Sequence, residues 1–367
     1  MFSDICKRYL RTLRTRNSTR NYTDHRIIPC TLVPGDGVGP EMVHSVQEVF
    51  HAASVPMEFE TIFFSEINPL KSATLEQVAS SISRNRVCLH GIVATPDLSA
   101  TGELQNLNMK LRKRLNLFAQ VVHVKSLPGI KSRHAGVDCV IIREQTEGEY
   151  SALEHETVKG MVECLKIVTK KKSEEIAKFA FDYAAGNKRS KVTAVHKASI
   201  FKLTDGMFLK SCEKMAELYP KIKFQAISID HCTMAMVSSP QQFDVLVTPN
   251  LYGTILENIG AALVGGAGVV AGSSYSSDCV IYEPGARHAF ARATGQDIAN
   301  PTAMLLCGVK LLRHVNLPEY GEMLKKAVLK VLGEGKVRTK DIGGDSTTQE
   351  FTKAVIHNLD LHSLNAV

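Results

Sequence analysis

Three glycines at alternate positions form the part of the sequence most suggestive of cofactor chemistry. Gly35, Gly37 and Gly39 lie between Pro34 and Pro40, directly after a short run of β-branched residues. Glycines let a backbone approach phosphate groups closely, as in dinucleotide-binding turns. The spacing here is GxGxG rather than GxGxxG, and Pro40 stands where the dinucleotide fingerprint continues into a helix. Taken alone, the turn is interpreted as structural rather than cofactor-binding.

The apolar pattern around this turn alternates between strand and helix. A strand is predicted at 27–33, and a helix follows because Met42, Val46, Val49 and Phe50 share one helical face. Further strands are predicted at 57–63, 87–93, 137–143, 191–196, 224–229 and 244–248, and further helices at 74–82, 173–185, 205–218 and 252–263. This alternation predicts an α/β fold.

Local signals mark several helix ends. Thr74 and Gln77 have the spacing of a capping box, and Ser173 is predicted to cap the helix that Gly186 closes. The glycines in 265–268 are predicted to end a helix and to form a candidate hinge between domains.

The composition fits a globular protein of two domains with a basic leader. A chain of 367 residues exceeds what one core usually organises. The first 23 residues hold six basic residues against Asp4 alone, so most of the formal charge of +7 lies there. This Arg-rich opening predicts a transit peptide at 1–23 and a location in the mitochondrial matrix; the alternative is a disordered basic tail. The near-neutral remainder gives no case for nucleic-acid binding, and no apolar run reaches the roughly 18 residues of a membrane span.

The cysteines show neither CxxC pairs nor zinc-like spacing. They are interpreted as reduced core thiols, as a matrix protein would have. The nine are Cys6, Cys30, Cys88, Cys139, Cys164, Cys212, Cys232, Cys279 and Cys307.

Seven motifs in order resemble the isocitrate and isopropylmalate dehydrogenases, and they cover essentially everything after the leader. They lie at 31–41, 111–113, 143–150, 192–197, 244–253, 300–303 and 341–344. Residues 123–129 and 141–150 are most similar to the NAD-dependent mitochondrial branch. The resemblance implies an α/β fold of two mixed α/β domains, with a discontinuous large domain at 26–117 and 265–367 and a small domain at 118–264 that carries the dimer interface.

Oxidative decarboxylation of a 2-hydroxy acid needs a divalent cation held by carboxylates, which polarises the developing ketone. The resemblance implies three aspartates for this cation. Two of the matching positions are Thr254 and Asn258, which lack carboxylates, and only Asp230 keeps one. Losing two formal charges should weaken the site by orders of magnitude. Glu257 is about 100° away from Asn258 around the helix and is predicted to be a solvated surface residue.

The resemblance also implies proton-transfer and substrate-holding groups. Tyr150 matches the proton-transfer tyrosine, and the equivalents of Lys197 and Asp230 reach into the neighbouring subunit's site in family dimers. Without the resemblance, Lys197 would be interpreted as an exposed strand-end cation, Asp230 as a helix N-cap, and Tyr150 as a structural hydrogen-bond partner. Substrate carboxylates would contact the side chains of Asn108, Arg112 and Arg143. Val122 replaces a third arginine, and Asn106 a serine of isocitrate-specific members.

The cofactor loop departs from the family pattern as well. Residues 285–295 replace a compact NAD-binding segment, and Arg292 falls near the place of its ribose-binding aspartate. Asn300 is retained as a weak adenine contact, although Asn-Pro is equally a turn signal.

The leading hypothesis is a non-catalytic subunit that completes the site of a catalytic isocitrate dehydrogenase partner in a hetero-oligomer. NAD and Mg or Mn belong to the holoenzyme, and binding by this chain itself is doubtful. The alternatives are a self-sufficient dehydrogenase and a regulatory subunit that binds citrate or nucleotide.

Overall fold

The structure, a computed structural model, describes residues 27–95 and 104–361, so the predicted leader and Cys6 lie outside the described residues. The strands are β1 Ile28–Val33, β2 Met57–Thr61, β3 Val87–His90, β4 Ala119–Lys125, β5 Asp138–Glu144, β6 Glu154–Val158, β7 Met161–Cys164, β8 Lys191–His196, β9 Lys223–Ser228, β10 Val245–Thr248, β11 Ala271–Tyr275 and β12 Val280–Pro284. The helices are α1 Gly39–Ala52, α2 Leu75–Asn85, α3 Leu107–Arg114, α4 Lys170–Gly186, α5 Thr204–Ala216, α6 Ile229–Ser238, α7 Asn250–Val264, α8 Thr302–His314, α9 Pro318–Glu334 and α10 Thr348–His357.

A ten-stranded sheet runs through the protein in the order β2-β1-β3-β12-β11-β4-β5-β10-β8-β9. The outer strands on both sides pair in parallel, and the pairs β12·β11, β11·β4 and β4·β5 in the middle are antiparallel. Helices pack on these strands and form the α/β architecture that the alternation predicted.

The two predicted domains contribute separate halves of this sheet. Strands β1 to β3, β11 and β12 come from the predicted large domain, and β4, β5 and β8 to β10 from the predicted small domain. Backbone pairing of β11 with β4 joins the halves. The proposed boundaries fall between α3 and β4 and directly after α7. The division into domains and the hinge role of 265–268 stay predictions.

Most local predictions are confirmed. The Thr74 side chain and the Gln77 side chain form the predicted capping box at α2. All four apolar residues of the predicted face of α1 are buried. Helix α7 ends before Gly265 and Gly266, whose φ angles of 127° and 112° favour glycine.

The predicted cap of α4 is wrong. Helix α4 begins at Lys170, and the Thr169 hydroxyl caps it by accepting from the Lys172 amide at 3.3 Å. Ser173 is buried inside the first turns, where its hydroxyl donates to the Thr169 carbonyl at 2.9 Å. Both residues are chemically competent caps, and Thr169 is held at the start of the helix by Glu147, whose carboxylate accepts from its amide and its hydroxyl at 2.8 Å each.

The glycine turn packs against another loop of the chain, and its interpretation as structural stays a prediction. The Val38 amide donates to the Ala289 carbonyl at 3.0 Å. At Gly37, whose φ is 61°, a Cβ would lie 1.9 Å from that same carbonyl oxygen. The turn therefore needs glycine because it packs backbone to backbone against the loop at 285–295.

The cysteine prediction holds for seven of the eight cysteines in the described residues. These seven are buried and free, whereas Cys164 on β7 is free and exposed. Within 27–95 and 104–361, none of the helices combines the length and the apolar character needed to cross a membrane.

Candidate functional site: a cavity whose arginines are already paired

Most of the predicted site residues surround one cavity of about 1360 Å³ between the two halves of the sheet. Asn108, Arg112, Arg143, Tyr150, Thr254, Asn258 and Asn300 all line it. Lys197 and Asp230 do not, and neither does Arg292, which is exposed. The structure thus gathers the predicted substrate-side residues and leaves the two predicted trans-acting residues outside.

Arg112 is held by partners from three elements. It lies one turn after Asn108 on α3, and its Nη1 donates to Asn108 Oδ1 at 3.1 Å. Its Nε donates to Gln145 Oε1 at 3.0 Å, and its Nη2 donates to Glu283 Oε2 on β12 at 2.9 Å. The Arg112 and Glu283 side chains are only 8% and 4% exposed. This arginine is therefore already neutralised within the chain.

Glu283 also binds a second guanidinium, that of Arg287, whose Nη2 donates to Glu283 Oε1 at 3.0 Å. The Ser274 hydroxyl donates to the same oxygen at 2.6 Å. Burial alone would raise the pKa of Glu283, but the charges of Arg287 and Arg112 outweigh it and hold the pKa well below its usual range. Glu283 is therefore an internal carboxylate shared by two arginines.

Arg143, at the end of β5, is saturated by the chain's own side chains. Its Nε lies 3.1 Å from Glu257 Oε1, and its Nη1 donates to Asn250 Oδ1 at 2.8 Å and to Thr254 Oγ1 at 2.9 Å. Its Nη2 donates to Gln120 Oε1. Four hydrogen bonds from this planar group, which has five N–H donors, therefore end on protein atoms.

The prediction that Glu257 is a solvated helix residue is wrong. Its side chain is 3% exposed and faces Arg143. Burial raises the pKa of Glu257, while the neighbouring Arg143 and Arg287 charges lower it in part. The helical periodicity of α7 separates Glu257 from Asn258, but it does not show that Glu257 faces β5. Its environment depends on an arginine 114 residues earlier in the chain.

Arg287, Glu283 and Gln145 are site residues that sequence reasoning did not select. Val122, in the place of a missing arginine, is fully buried on β4 and packs against Gly285, where a Cβ would lie 2.7 Å from Val122 Cγ1. Arg287 then brings a third guanidinium to the cavity from the loop after β12. Glu283 lies in the otherwise apolar strand VIYEP, and this isolated charge is the sequence feature that could have indicated a site residue.

The two positions that lack carboxylates do not fit a divalent cation. Thr254 Oγ1 accepts from the Arg143 guanidinium at 2.9 Å, and Tyr150 donates to the same oxygen at 3.3 Å. Asn258 Oδ1 lies 2.7 Å from His288 Nε2. Among the described residues, no group of three or more His, Cys, Asp or Glu side chains could hold a metal ion. A guanidinium beside two neutral oxygens repels a dication rather than binding it.

Asn300, the predicted adenine contact, is satisfied internally. Its Nδ2 donates to Asp341 Oδ2 at 3.0 Å, and its Oδ1 accepts from the Thr302 amide at 3.0 Å, at the start of α8. Asn300 therefore has the geometry of the turn residue that Asn-Pro also indicates, while it still borders the cavity.

Lys197 and Asp230 form an ion pair outside the cavity. The Lys197 ammonium donates to Asp230 Oδ2, and the two side chains are 26% and 62% exposed. The hydrogen bond from Lys197 lowers the pKa of Asp230. The alternative role of Asp230 as a helix N-cap is wrong, because Ser228 is the N-cap residue of α6.

Exposed apolar side chains are frequent on this part of the chain. The hairpin β6–β7 and its flanks expose Leu153, Val158, Met161, Val162, Leu165 and Ile167. Ile200, Phe201 and Leu203 follow Lys197, and Met234 and Val237 follow Asp230 on α6, all of them exposed. Exposed apolar residues of this kind are typical of interaction surfaces when they are contiguous.

Comparison with known proteins covers nearly all of the described chain. Residues 29–355 match the family described as isocitrate/isopropylmalate dehydrogenase. The mitochondrial NAD-dependent isocitrate dehydrogenase subunit beta of Bos taurus is 59% identical over 332 residues, which is 90% of this chain and 86% of the relative. The mitochondrial regulatory subunit 2 of Arabidopsis thaliana is 48% identical over 338 residues, 90% of each chain. The solved isocitrate dehydrogenase from Methylococcus capsulatus aligns with a TM-score of 0.85 at 36% identity, covering 90% of this chain and 99% of that one.

Proposed function

Because the chain belongs to the isocitrate/isopropylmalate dehydrogenase family, we propose that it is a non-catalytic, beta-like subunit of a mitochondrial NAD-dependent isocitrate dehydrogenase. It supports the oxidative decarboxylation of isocitrate to 2-oxoglutarate in the citric acid cycle by completing a catalytic partner's site. The names of its relatives as beta and regulatory mitochondrial subunits support a hetero-oligomer and this location. The basic opening of the chain is proposed to direct it to the matrix.

One observation carries the proposal. The positions that would bind a cation in this chain's own cavity are unsuited to it, whereas the residues proposed to act in trans lie outside that cavity. Thr254, in place of a carboxylate, is bonded to the Arg143 guanidinium at 2.9 Å, so the chain's own cavity is unsuited to a metal. Instead, Lys197 is partly exposed and Asp230 is exposed, on segments that also expose apolar side chains. Residues that would serve a neighbour pair with each other at the surface, and residues that would serve the chain itself are absent or paired inside the cavity.

The cofactors follow from this division. NAD and Mg or Mn belong to the holoenzyme, in which the catalytic subunit would hold both, and Asp230 would add a carboxylate to the partner's cation from across the interface. Isocitrate would likewise bind at the partner's site. The two-domain organisation and the interface on the small domain are part of the same proposal.

The self-sufficient alternative would need Thr254, Asn258 and the Asp230 of a second copy around one metal, but Thr254 Oγ1 accepts from the Arg143 guanidinium at 2.9 Å and Asn258 Oδ1 lies 2.7 Å from His288 Nε2. The regulatory alternative would need free guanidiniums for citrate. The three arginines already face two buried carboxylates, and the whole lining carries five cationic and three anionic side chains, a formal charge of +2 for a ligand that carries about three negative charges. Both alternatives are therefore less well supported than the beta-like subunit.

The purified chain alone is expected to show no turnover of isocitrate with NAD and Mg²⁺ or Mn²⁺, whereas co-expression with a catalytic subunit gives an active oligomer. The reason is the absence of two cation-binding carboxylates. Initial rates of NADH formation, with metal and NAD titrations of both samples, measure this. The catalytic subunit alone is the control. Turnover by the isolated chain at a rate comparable to the oligomer would contradict the proposal.

A further inference from the structure

Lys166 is a nearly buried lysine that no predicted site includes. It follows β7, and its side chain is 14% exposed. Its Nζ lies 3.0 Å from Glu149 Oε1 and 3.0 Å from Asp205 Oδ1. The same ammonium lies 4.5 Å from the ring centroid of Phe201 and 5.4 Å from that of Tyr252. Two carboxylates and two aromatic faces therefore meet one cation.

Each partner of Lys166 belongs to a segment that carries a proposed functional residue. Glu149 directly precedes Tyr150, and Tyr252 lies two residues before Thr254 in the first turn of α7. Asp205 contacts the Lys197 segment itself, because its Oδ2 accepts from the Lys197 amide at 2.8 Å. The ammonium thus joins three segments that are far apart in sequence.

The backbone of Lys197 is fixed at both of its polar atoms. Its amide donates to Asp205, and its carbonyl accepts from the Ile200 and Phe201 amides, each at 2.9 Å. Asp205 is 1% exposed, so its position depends on the charge partner that burial requires. Lys166 is the cation bonded to the other oxygen of Asp205.

Lys166 keeps its charge in this setting. Burial by itself lowers its pKa, but the hydrogen bonds to Glu149 and Asp205 more than offset burial, so the net direction is upward. A neutral amine would leave a buried carboxylate without a counter-ion, so the contact is an obligatory ion pair at neutral pH.

We propose that Lys166 is a positioning residue, which sets the placement of Lys197 by holding Asp205, the acceptor of the Lys197 amide, against Glu149. This inference rests on the proposed function, since Lys197 acts at the partner's site. Lys166 touches no reacting group and acts only through the backbone at Lys197.

The first test replaces Lys166 by methionine in the mixed oligomer. We expect kcat to fall about 10- to 100-fold, because small misplacements of a catalytic group cost up to about 10²-fold in rate. KM for isocitrate should change little. Lys166→Arg should restore much of the rate, since arginine can reach both carboxylates. If Lys166→Arg lowers kcat as much as Lys166→Met does, the inference is overturned.

Lys172→Met is the matched control. Lys172 also pairs with a carboxylate, that of Glu175 at 2.8 Å, lies 5.6 Å from the centroid of the Phe118 ring, and is 16% exposed. It has no contact with the Lys197 segment among its hydrogen bonds in the described chain. Its loss should leave kcat within about twofold, whereas a loss like that of Lys166→Met would indicate a general packing effect and overturn the inference.

A double-mutant cycle separates positioning from simple stability. In a Lys197→Ala background, Lys166→Met should cause no further fall in kcat, because the positioned group is gone. If Lys166→Met lowers kcat by the same factor in the Lys197→Ala background as in the unaltered chain, the inference is overturned.

If Lys166→Met lowers the yield of oligomer, Asp205→Asn gives a second measurement, because this variant keeps an acceptor for the Lys197 amide. If Lys197→Ala alone leaves kcat unchanged, the proposed function fails. If Lys197→Ala lowers kcat and Lys166→Met does not, only this inference fails.

Discussion

Replacing Lys197 by alanine in the mixed oligomer is expected to lower kcat by about 10²- to 10⁴-fold, the usual contribution of a positioned proton-transfer group. KM for isocitrate should stay nearly constant, because the substrate carboxylates are held by other groups. The Lys197 side chain pairs with Asp230 at the surface and lies outside its own cavity. Its removal should therefore change the free energy of unfolding by no more than about 0.5 kcal/mol. Steady-state kinetics and urea unfolding measure the two effects.

Lys202→Ala is the matched control for Lys197→Ala. Lys202 is an exposed lysine on the same loop, five residues after Lys197, so the variant removes the same charge from the same surface. Lys202→Ala should leave kcat unchanged. Unaltered turnover in the Lys197→Ala oligomer would remove the claim that this side chain serves the partner's site. Equal losses in both variants would indicate that the interface, rather than the site, depends on the charge.

Replacing Glu257 by alanine is expected to lower the free energy of unfolding by about 3 to 5 kcal/mol, the usual cost of leaving one member of a buried ion pair without its partner. The Arg143 and Glu257 side chains are each 3% exposed and lie 3.1 Å apart. Arg143 would keep Asn250 and Thr254 as acceptors, so the loss should lie toward the lower end of this range. Urea unfolding of the purified chain measures it.

Arg143→Met combined with Glu257→Leu distinguishes loss of the pair from an unpaired charge. Apolar replacement removes the unpaired charge but leaves Asn250 and Gln120 without the Arg143 donor, so the double variant should be more stable than Glu257→Ala and less stable than the unaltered chain. A double variant as unstable as Glu257→Ala would mean that general packing, rather than charge pairing, accounts for the loss.

Glu257→Ala should also change what the cavity binds. Without this carboxylate, the three arginines face Glu283 alone, and the formal charge of the cavity lining rises from +2 to +3. Calorimetry with citrate should then detect binding to the variant and none, or far weaker binding, to the unaltered chain. Stronger binding by the unaltered chain would support the regulatory alternative instead.

Local features of the fold were predictable because they depend on neighbours in sequence. The capping box of Thr74 and Gln77 needs only three residues of spacing, and strand β8 has the bounds that its apolar run predicted. The cap of α4 was not predictable in the same way. Thr169 and Ser173 are both suitable, and the choice depends on where the chain meets the sheet.

The site was predictable where a family motif existed and unpredictable where a contact joined distant segments. Arg112, Arg143 and Tyr150 were found through the resemblance and do line the cavity. Glu257 was misplaced because its burial is created by Arg143, and Arg287 was passed over because Val122 suggested only a loss. The sequence shows which residue occupies each position, but it does not show which charged side chain from a distant segment lies next to it.

The sequence by itself determined that the carboxylates at positions 254 and 258 are missing and that Lys197 and Asp230 are retained. These are matters of residue identity at motif positions. Only the tertiary structure decided the state of what remains: the cavity's arginines are paired internally, and Lys197 and Asp230 stand outside it. Charge pairing is a property of distance and burial, because the same guanidinium binds a substrate when free and stabilises a core when a buried carboxylate lies 3 Å away.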